Sequence, residues 1–237
     1  MTVKQYTVGV LSLQGAFKEH IDLFKLATES QHEKFHFLEV KTPQQLLRCD
    51  ALVIPGGEST SMSLIAERTK MIQPLVDFIH SGKPLWGTCA GLIFLSREIV
   101  NGRPNQKALG AIDIQVKRNA FGRQLDSFES MLDFSGFIEA VDQFPAIFIR
   151  APVISKVLPT EYNEEYITMK LVDDQSPIIR SENESVNKSK VELLYTLDNG
   201  LVVAARQGNV LVTSFHPELS DDCRFHRWFI QEFVAST

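Results

Sequence analysis

Apolar positions along the first half of the chain come in short, nearly continuous runs, at residues 7–13, 35–40, 51–54 and 84–87. Between them the spacing turns helical. Residues 18–30 place Ile21, Leu23, Phe24 and Leu26 within reach of one face. Residues 43–48 form a short helix with Thr42 as cap and Pro43 in its first turn, 59–80 read as one or two helices, and 90–99 as another. Short strands, continuously apolar and separated by helices, predict parallel βαβ units with both sheet faces covered. The second half changes style. Residues 111–116, 146–149, 153–157, 191–197, 201–206 and 210–214 all read as strands, and Asp198-Asn199-Gly200 and Gln207-Gly208-Asn209 supply turns between the last three. A helix over 221–234, with Ser220 as its N-cap, closes the chain. The expected fold is α/β: a mostly parallel central sheet flanked by helices, with additional antiparallel strands in the second half. No internal repeat is visible, and 1–237 reads as one domain. The acidic stretch 159–190 reads as a surface insertion.

Composition supports a folded chain. Of 237 residues 44% are apolar, with 13 glycines besides, which is ordinary for a globular protein. The net charge of −5, without a basic tract, argues against nucleic-acid binding, whose affinity comes mainly from phosphate neutralisation. Three cysteines, Cys49, Cys89 and Cys223, make no disulfide framework and fit a reducing, cytoplasmic setting. No apolar run approaches the roughly 18 residues of a membrane span, and residues 6–13 read as a first buried strand rather than a signal peptide. The two sequons at Asn183 and Asn187 mean little without a secretory signal.

The sharpest local feature is Gly87-Thr88-Cys89-Ala90-Gly91, entered by a short apolar strand and left by a helix. This is a G-x-nucleophile-x-G elbow with cysteine in place of serine. A helix N-terminus beneath the sulfur favours thiolate, and free N–H groups there can bind an oxyanion. A buried cysteine in a strand-to-helix turn is the alternative. A nucleophile needs a base, and His216 directly follows the strand 210–214, at the strand end where open sheets gather catalytic groups. Glu218 stands two residues on; in an extended segment it would face the same way and could orient the imidazole. Pro55-Gly56-Gly57-Glu58-Ser59-Thr60 closes another strand. It lacks the Lys-Ser/Thr of a phosphate loop, and reads either as an oxyanion-hole loop or as a tight turn with Ser59 capping the next helix. His32-Glu33-Lys34-Phe35-His36 matches H-E-x-x-H, but its second half runs into a strand, so no metal site is expected. His20, His80 and His226 fall on expected helix surfaces and are assigned no role.

Together these motifs resemble the class I, triad-type glutamine amidotransferases, in the family's order and over nearly the whole chain. A narrower likeness rests on five stretches. They are Leu13-Gln14-Gly15, Gly56-Gly57-Glu58-Ser59-Thr60, Arg118-Asn119-Ala120-Phe121-Gly122-Arg123-Gln124, Phe148-Ile149-Arg150-Ala151-Pro152 and Ser214-Phe215-His216-Pro217-Glu218-Leu219. These are similar to the glutaminase subunits of pyridoxal 5′-phosphate synthase, the PdxT/Sno family. The resemblance implies a single-domain, flavodoxin-like amidotransferase fold. It also implies hydrolysis of L-glutamine to glutamate and ammonia through a glutamyl thioester, and delivery of that ammonia to a separate PdxS/Snz-type synthase subunit. No cofactor is implied to bind here. By similarity Cys89 is the nucleophile, His216 the general base and acid, and Glu218 the orienting carboxylate. Gly57 and Ala90 would supply oxyanion-hole N–H groups. Gly57, Glu58, Ser59, Arg118, Ile149 and Arg150 match glutamine-binding positions, and Gln14 a position near the synthase interface. A guanidinium is the natural bidentate partner of the α-carboxylate. The resemblance further implies weak activity until the synthase docks, with the Gly56–Gly57 peptide reorienting.

Overall fold

The computed structural model describes residues 4–31, 34–119, 127–169, 176–183 and 187–236. The first half runs β1 (Tyr6–Leu11), α1 (Phe17–Ala27), β2 (Phe35–Val40), α2 (Pro43–Leu46), β3 (Ala51–Ile54), α3 (Ser59–Arg68), α4 (Ile72–His80), β4 (Leu85–Thr88) and α5 (Ala90–Leu95). Then follow β5 (Ser96–Val100), β6 (Ile112–Lys117), β7 (Ser127–Leu132), β8 (Phe144–Ile149), β9 (Val153–Val157), β10 (Tyr166–Ile167), β11 (Ile178–Arg180), β12 (Val191–Thr196), β13 (Val202–Gln207), β14 (Val210–Thr213) and α6 (Arg224–Phe229).

Twelve strands share one sheet, along the path β11-β5-β6-β9-β13-β14-β4-β3-β1-β2, with β10 added on β9 and β12 on β13. The stretch β14-β4-β3-β1-β2 is parallel throughout. Beyond β14 the sheet continues through the antiparallel pairs β13·β14, β9·β13 and β6·β9. Strands β7 and β8 form a separate antiparallel pair.

The parallel strands are apolar on both sides because both sides are covered. Leu52, Ile54, Leu85, Val210 and Val212 face one core, with Leu46, Met62, Leu75 and Leu92 from α2 to α5. Val8, Val10, Val53, Trp86 and Leu211 face the other, with Phe24 of α1, Phe225 and Phe229 of α6, and Leu132, Phe144 and Phe148 of the β7–β8 pair. Among the described residues no helix is long and apolar enough to cross a membrane.

Several expected elements take a different form. The helix over 90–99 ends at Leu95. Ser96 Oγ donates to the Ile93 carbonyl at 2.8 Å, and the chain then pairs in parallel with β6. On α1 the buried side is His20, Ile21, Leu23, Phe24 and Ala27, while Leu26 is 49% exposed. The apolar stripe alone had placed this face about one residue off, because a buried histidine occupies part of it. Thr42 caps α2 with a full capping box, as its sequence suggests. The N-cap of α3, however, is Glu58 rather than Ser59. The last helix starts only at Arg224 and ends in a π-helical turn over Ile230–Val234. Ser220 instead closes a local turn, donating to Pro217 O at 2.9 Å. β7 mixes polar and apolar residues along a partly exposed strand, and β10 and β11 are only two and three residues long, too short to leave a periodic signal. Within 159–190, β10 and β11 extend the sheet, and Asn163 Nδ2 reaches the buried Asp113 carboxylate at 3.3 Å. Residues 170–175 and 184–186 of that stretch, with the Asn183 sequon's Glu184 and Ser185, lie outside the described residues.

Candidate active site

Parallel neighbours β4 and β14 carry the two central side chains. Their register pairs Thr88 with Thr213, so both strands end at one level. Cys89 follows immediately, with φ 47° and ψ −97°, an uncommon backbone conformation for a side-chain-bearing residue. Its N–H donates to Thr213 O at 2.8 Å, tying the elbow to the strand beside it. The flanking glycines are needed for close packing. A Cβ on Gly91 would lie 2.0 Å from the Ile54 carbonyl oxygen, and one on Gly87 would lie 2.7 Å from the Gly91 backbone.

From Thr213 the chain passes Ser214 and Phe215 to His216. Phe215 is fully buried against Phe134 and Phe225, and the His216 N–H donates to Ile147 O at 2.7 Å. Pro217–Leu219 is a 3₁₀ turn rather than the extended segment expected. The turn nevertheless folds Glu218 back, so that its Oε1 accepts from His216 Nδ1 at 2.7 Å. Burial opposes charge on His216, but the hydrogen bonds with Cys89 and Glu218 and their negative charges outweigh it, raising its pKa to about 10. Burial likewise favours the acid form of Glu218, yet the imidazoles of His20 and His216 hold it below the usual carboxylate range. Gly56 closes over this pair: a Cβ there would lie 2.2 Å from His216 Cε1 and 3.1 Å from Glu218 Oε1.

Cys89 and His216 open on a cavity of about 850 Å³. Gln14, Gly57, Glu58, Ser59, Arg118, Ile149 and Arg150 line it as well, so these sequence-derived candidates are brought together. Ala90 follows Cys89 as the first residue of α5, and Glu218 sits behind His216. Glu58 caps α3. Burial works against its charge, but the Ser61 hydroxyl and the Ser61 and Thr60 N–H groups lower its pKa to about 2. Its carboxylate also reaches Arg118 Nη2 at 3.5 Å. Gln14 Oε1 accepts the Glu58 N–H at 3.0 Å, and a Cβ on Gly57 would lie 2.2 Å from that same oxygen. The Ala16 N–H donates to Gly56 O at 3.1 Å, so two loops are locked together.

Sequence reasoning missed two kinds of residue. Gln106 is buried and joins two of the candidates: its Nε2 donates to Ser59 Oγ and its Oε1 accepts from Arg118 Nη1, both at 3.1 Å. Arg103, whose N–H donates to the same Gln106 oxygen, joins Arg118 and Arg150 as a third arginine on the cavity wall. No motif marks either; only the turn after β5 brings them here. His20 and His226, expected on helix surfaces, are fully buried and face each other at 2.9 Å. Of the H-E-x-x-H match, His36 lies exposed on β2, while His32 and Glu33 lie outside the described residues. Residues 120–124 of the Arg118 motif also lie outside them. Among the described residues, no group of three or more His, Cys, Asp and Glu side chains is placed to hold a metal.

The sequence profile of the SNO glutamine amidotransferase family matches residues 10–176 and 169–235. Pyridoxal 5'-phosphate synthase subunit SNO1 of Saccharomyces cerevisiae is 48% identical, over 97% of this chain and 93% of that protein. Pyridoxal 5'-phosphate synthase subunit PdxT of Herpetosiphon aurantiacus is 43% identical, over 94% of this chain and 98% of its own length. A crystal structure of a glutamine amidotransferase superposes with a TM-score of 0.67 at 37% identity, covering 94% of this chain and 97% of the other.

Proposed function

Because this chain belongs to the SNO glutamine amidotransferase family, we propose that it hydrolyses L-glutamine for a pyridoxal 5′-phosphate synthase, with Cys89, His216 and Glu218 as its triad. The observation that carries this reading is the Glu218–His216 hydrogen bond at 2.7 Å, beside an elbow cysteine in a cavity that also holds Arg118.

Glutamine's α-carboxylate lies against Arg118, whose guanidinium is held in place by Gln106 and Glu58. Its side-chain amide then reaches the elbow. The Cys89 thiolate attacks the amide carbon, the C–S bond forms, and the N–H groups of Gly57 and Ala90 hold the resulting oxyanion. The imidazolium of His216 gives its proton to the amide nitrogen, the C–N bond breaks, and ammonia leaves. His216, now neutral, takes a proton from water as that water attacks the thioester. The C–S bond breaks, glutamate departs, and the thiolate–imidazolium pair is restored. A raised His216 pKa supports an imidazole that carries its proton readily beside the nucleophile. Glu218 holds the ring with Nδ1–H directed away from the sulfur, which leaves Nε2 for the proton transfers.

The ammonia passes to a PdxS/Snz-type synthase subunit, for which Gln14 and its contact with the Glu58 N–H form part of the receiving surface. Glutamate production from L-glutamine, measured with and without a purified pyridoxal phosphate synthase subunit and with Cys89→Ala as blank, tests the reading. Activity that rises on adding the synthase supports both chemistry and pathway. No glutamate in either case, from folded protein, overturns it.

A further inference from the structure

His20 of α1 and His226 of α6 form a buried titratable pair that the mechanism above leaves unused. Both side chains are fully buried in an aromatic cage: His20 packs edge-on to Trp86 at 5.4 Å, and His226 edge-on to Phe24 at 4.8 Å. His20 Nδ1 faces His226 Nε2 at 2.9 Å. The other nitrogen, His20 Nε2, lies 3.2 Å from Thr88 Oγ1 and 3.4 Å from Glu218 Oε2. Thr88 is the residue before the elbow cysteine. Glu218 Oε2 has no aligned hydrogen-bond donor, and His226 Nδ1 has no partner.

These contacts decide the tautomers. If His20 carried its proton on Nδ1, it would donate to His226 Nε2, and His226 would bury an unpaired Nδ1–H. Glu218 Oε2 would then face a nitrogen lone pair. If His226 donates from Nε2 to His20 Nδ1, the His20 proton sits on Nε2, between Thr88 Oγ1 and the carboxylate. His226 Nδ1 is then a bare nitrogen lone pair, which costs less than a buried N–H without an acceptor. Burial lowers the pKa of both imidazoles to about 3, so each carries a single ring proton at neutral pH.

On the glutaminase reading above, we propose that His20 is a positioning residue of the triad, its Nε2–H held by Thr88 Oγ1 with the nitrogen 3.4 Å from Glu218 Oε2, and its Nδ1 held by His226. The carboxylate then lies between two imidazoles, hydrogen-bonded to His216 at one oxygen and in polar contact with His20 at the other. The His20 N–H dipole beside Oε2 favours the ionised carboxylate over its acid form. The titratable groups facing it are His216 and His20, with Cys89 beyond His216 and His226 behind His20.

Three measurements test this. Nitrogen-15 NMR of the wild-type imidazoles should show His20 and His226 both protonated at Nε2; a proton on His20 Nδ1 would sink the proposal without any variant. In the complex with the synthase, His20→Leu should lower kcat roughly tenfold, the scale of a lost polar contact with a charged group, with KM for glutamine unchanged. His20→Gln, whose amide N–H can take the place of Nε2–H, should recover most of that loss. A His20→Leu enzyme with wild-type kcat, or a His20→Gln enzyme equally impaired, overturns the role. The pH profile of Cys89 alkylation by iodoacetamide, mapped by mass spectrometry, needs no glutamine. Its acid limb should move to higher pH in His20→Leu and not in His20→Gln, and an unmoved limb overturns the proposal. If the wild type fails to turn over glutamine while this limb still moves, the glutaminase reading fails and the His20 assignment stands.

Discussion

The amide N–H of Cys89 donates to the carbonyl of Thr213 at 2.8 Å, so the elbow of one strand is fastened to the last residue of its neighbour. His216 leaves that same neighbour three residues later. The separation of sulfur and imidazole is thus set by two adjacent parallel strands, among the most rigid parts of the fold, rather than by loops. Replacing the nucleophile alone, as in Cys89→Ala, should therefore act on chemistry and leave folding nearly untouched.

Glu218→Gln should keep a hydrogen-bond acceptor for His216 but remove the negative charge. We expect kcat to fall between roughly a hundredfold and ten-thousandfold, the upper end being the cost of the equivalent change in a serine triad. Steady-state glutamate release from the synthase complex checks this, and full activity would remove Glu218 from the triad.

Gly56→Ala should be more damaging than its size suggests. The new methyl would sit 2.2 Å from His216 Cε1, so the ring must move off the Glu218 oxygen. Overpacking of this kind costs about 1–3 kcal/mol. A lower melting temperature together with a loss of kcat is expected; a variant with normal kcat would show that the Gly56 loop opens freely.

Gln106→Ala should act on binding. Without its amide, Ser59 and the Arg118 guanidinium lose a shared anchor, and KM for glutamine should rise roughly tenfold with a smaller change in kcat. Arg118→Lys should raise KM as well, since an ammonium cannot form the two-pronged pairing with a carboxylate. Initial-rate kinetics over a range of glutamine concentrations separate the two parameters, and an unchanged KM in both variants would move the carboxylate site elsewhere in the cavity.

Stability should peak near pH 6.5 and fall on both sides. His20 and His226 have folded pKa values near 3 against 6.5 unfolded. Between those values the unfolded chain binds protons that the folded chain does not. Stability therefore drops as pH falls, by about 1.4 kcal/mol per pH unit for each imidazole. His216 works the other way. Its folded value near 10 means that its stabilising contribution is complete below pH 6.5 and is lost as pH rises toward 10. Glu58 and Glu218, both lowered from 4.5, add to the acid loss only below that value. Urea midpoints measured between pH 4.5 and 6.5 isolate the histidine pair, and a flat profile there would contradict their neutral burial.

Much of this molecule is visible in the chain itself. The continuous apolar runs at β1, β3, β4 and β14 are the mark of strands covered on both faces, and all four lie in the parallel part of the sheet. Gly87, Gly91 and Cys89 announce the elbow because a strand-to-helix turn this tight admits few other residues. His216 and Glu218 could be paired from their spacing, although a 3₁₀ turn does the pairing. Glu58 was foreseen at the cavity but not as a helix cap, since the choice between Glu58 and Ser59 depends on where α3 begins by a single residue.

By itself the sequence determined what is local or periodic: the strand and helix order, the elbow, the short-range His–Glu pair and the family these motifs resemble. Tertiary structure alone decided what depends on contacts distant along the chain. Gln106 meets Ser59 across 47 residues, and His20 meets His226 across 206. A histidine on an amphipathic helix looks the same in sequence whether it faces water or a buried carboxylate. Which one it faces is settled by how α1 and α6 pack over Trp86, and that packing leaves no pattern within either helix.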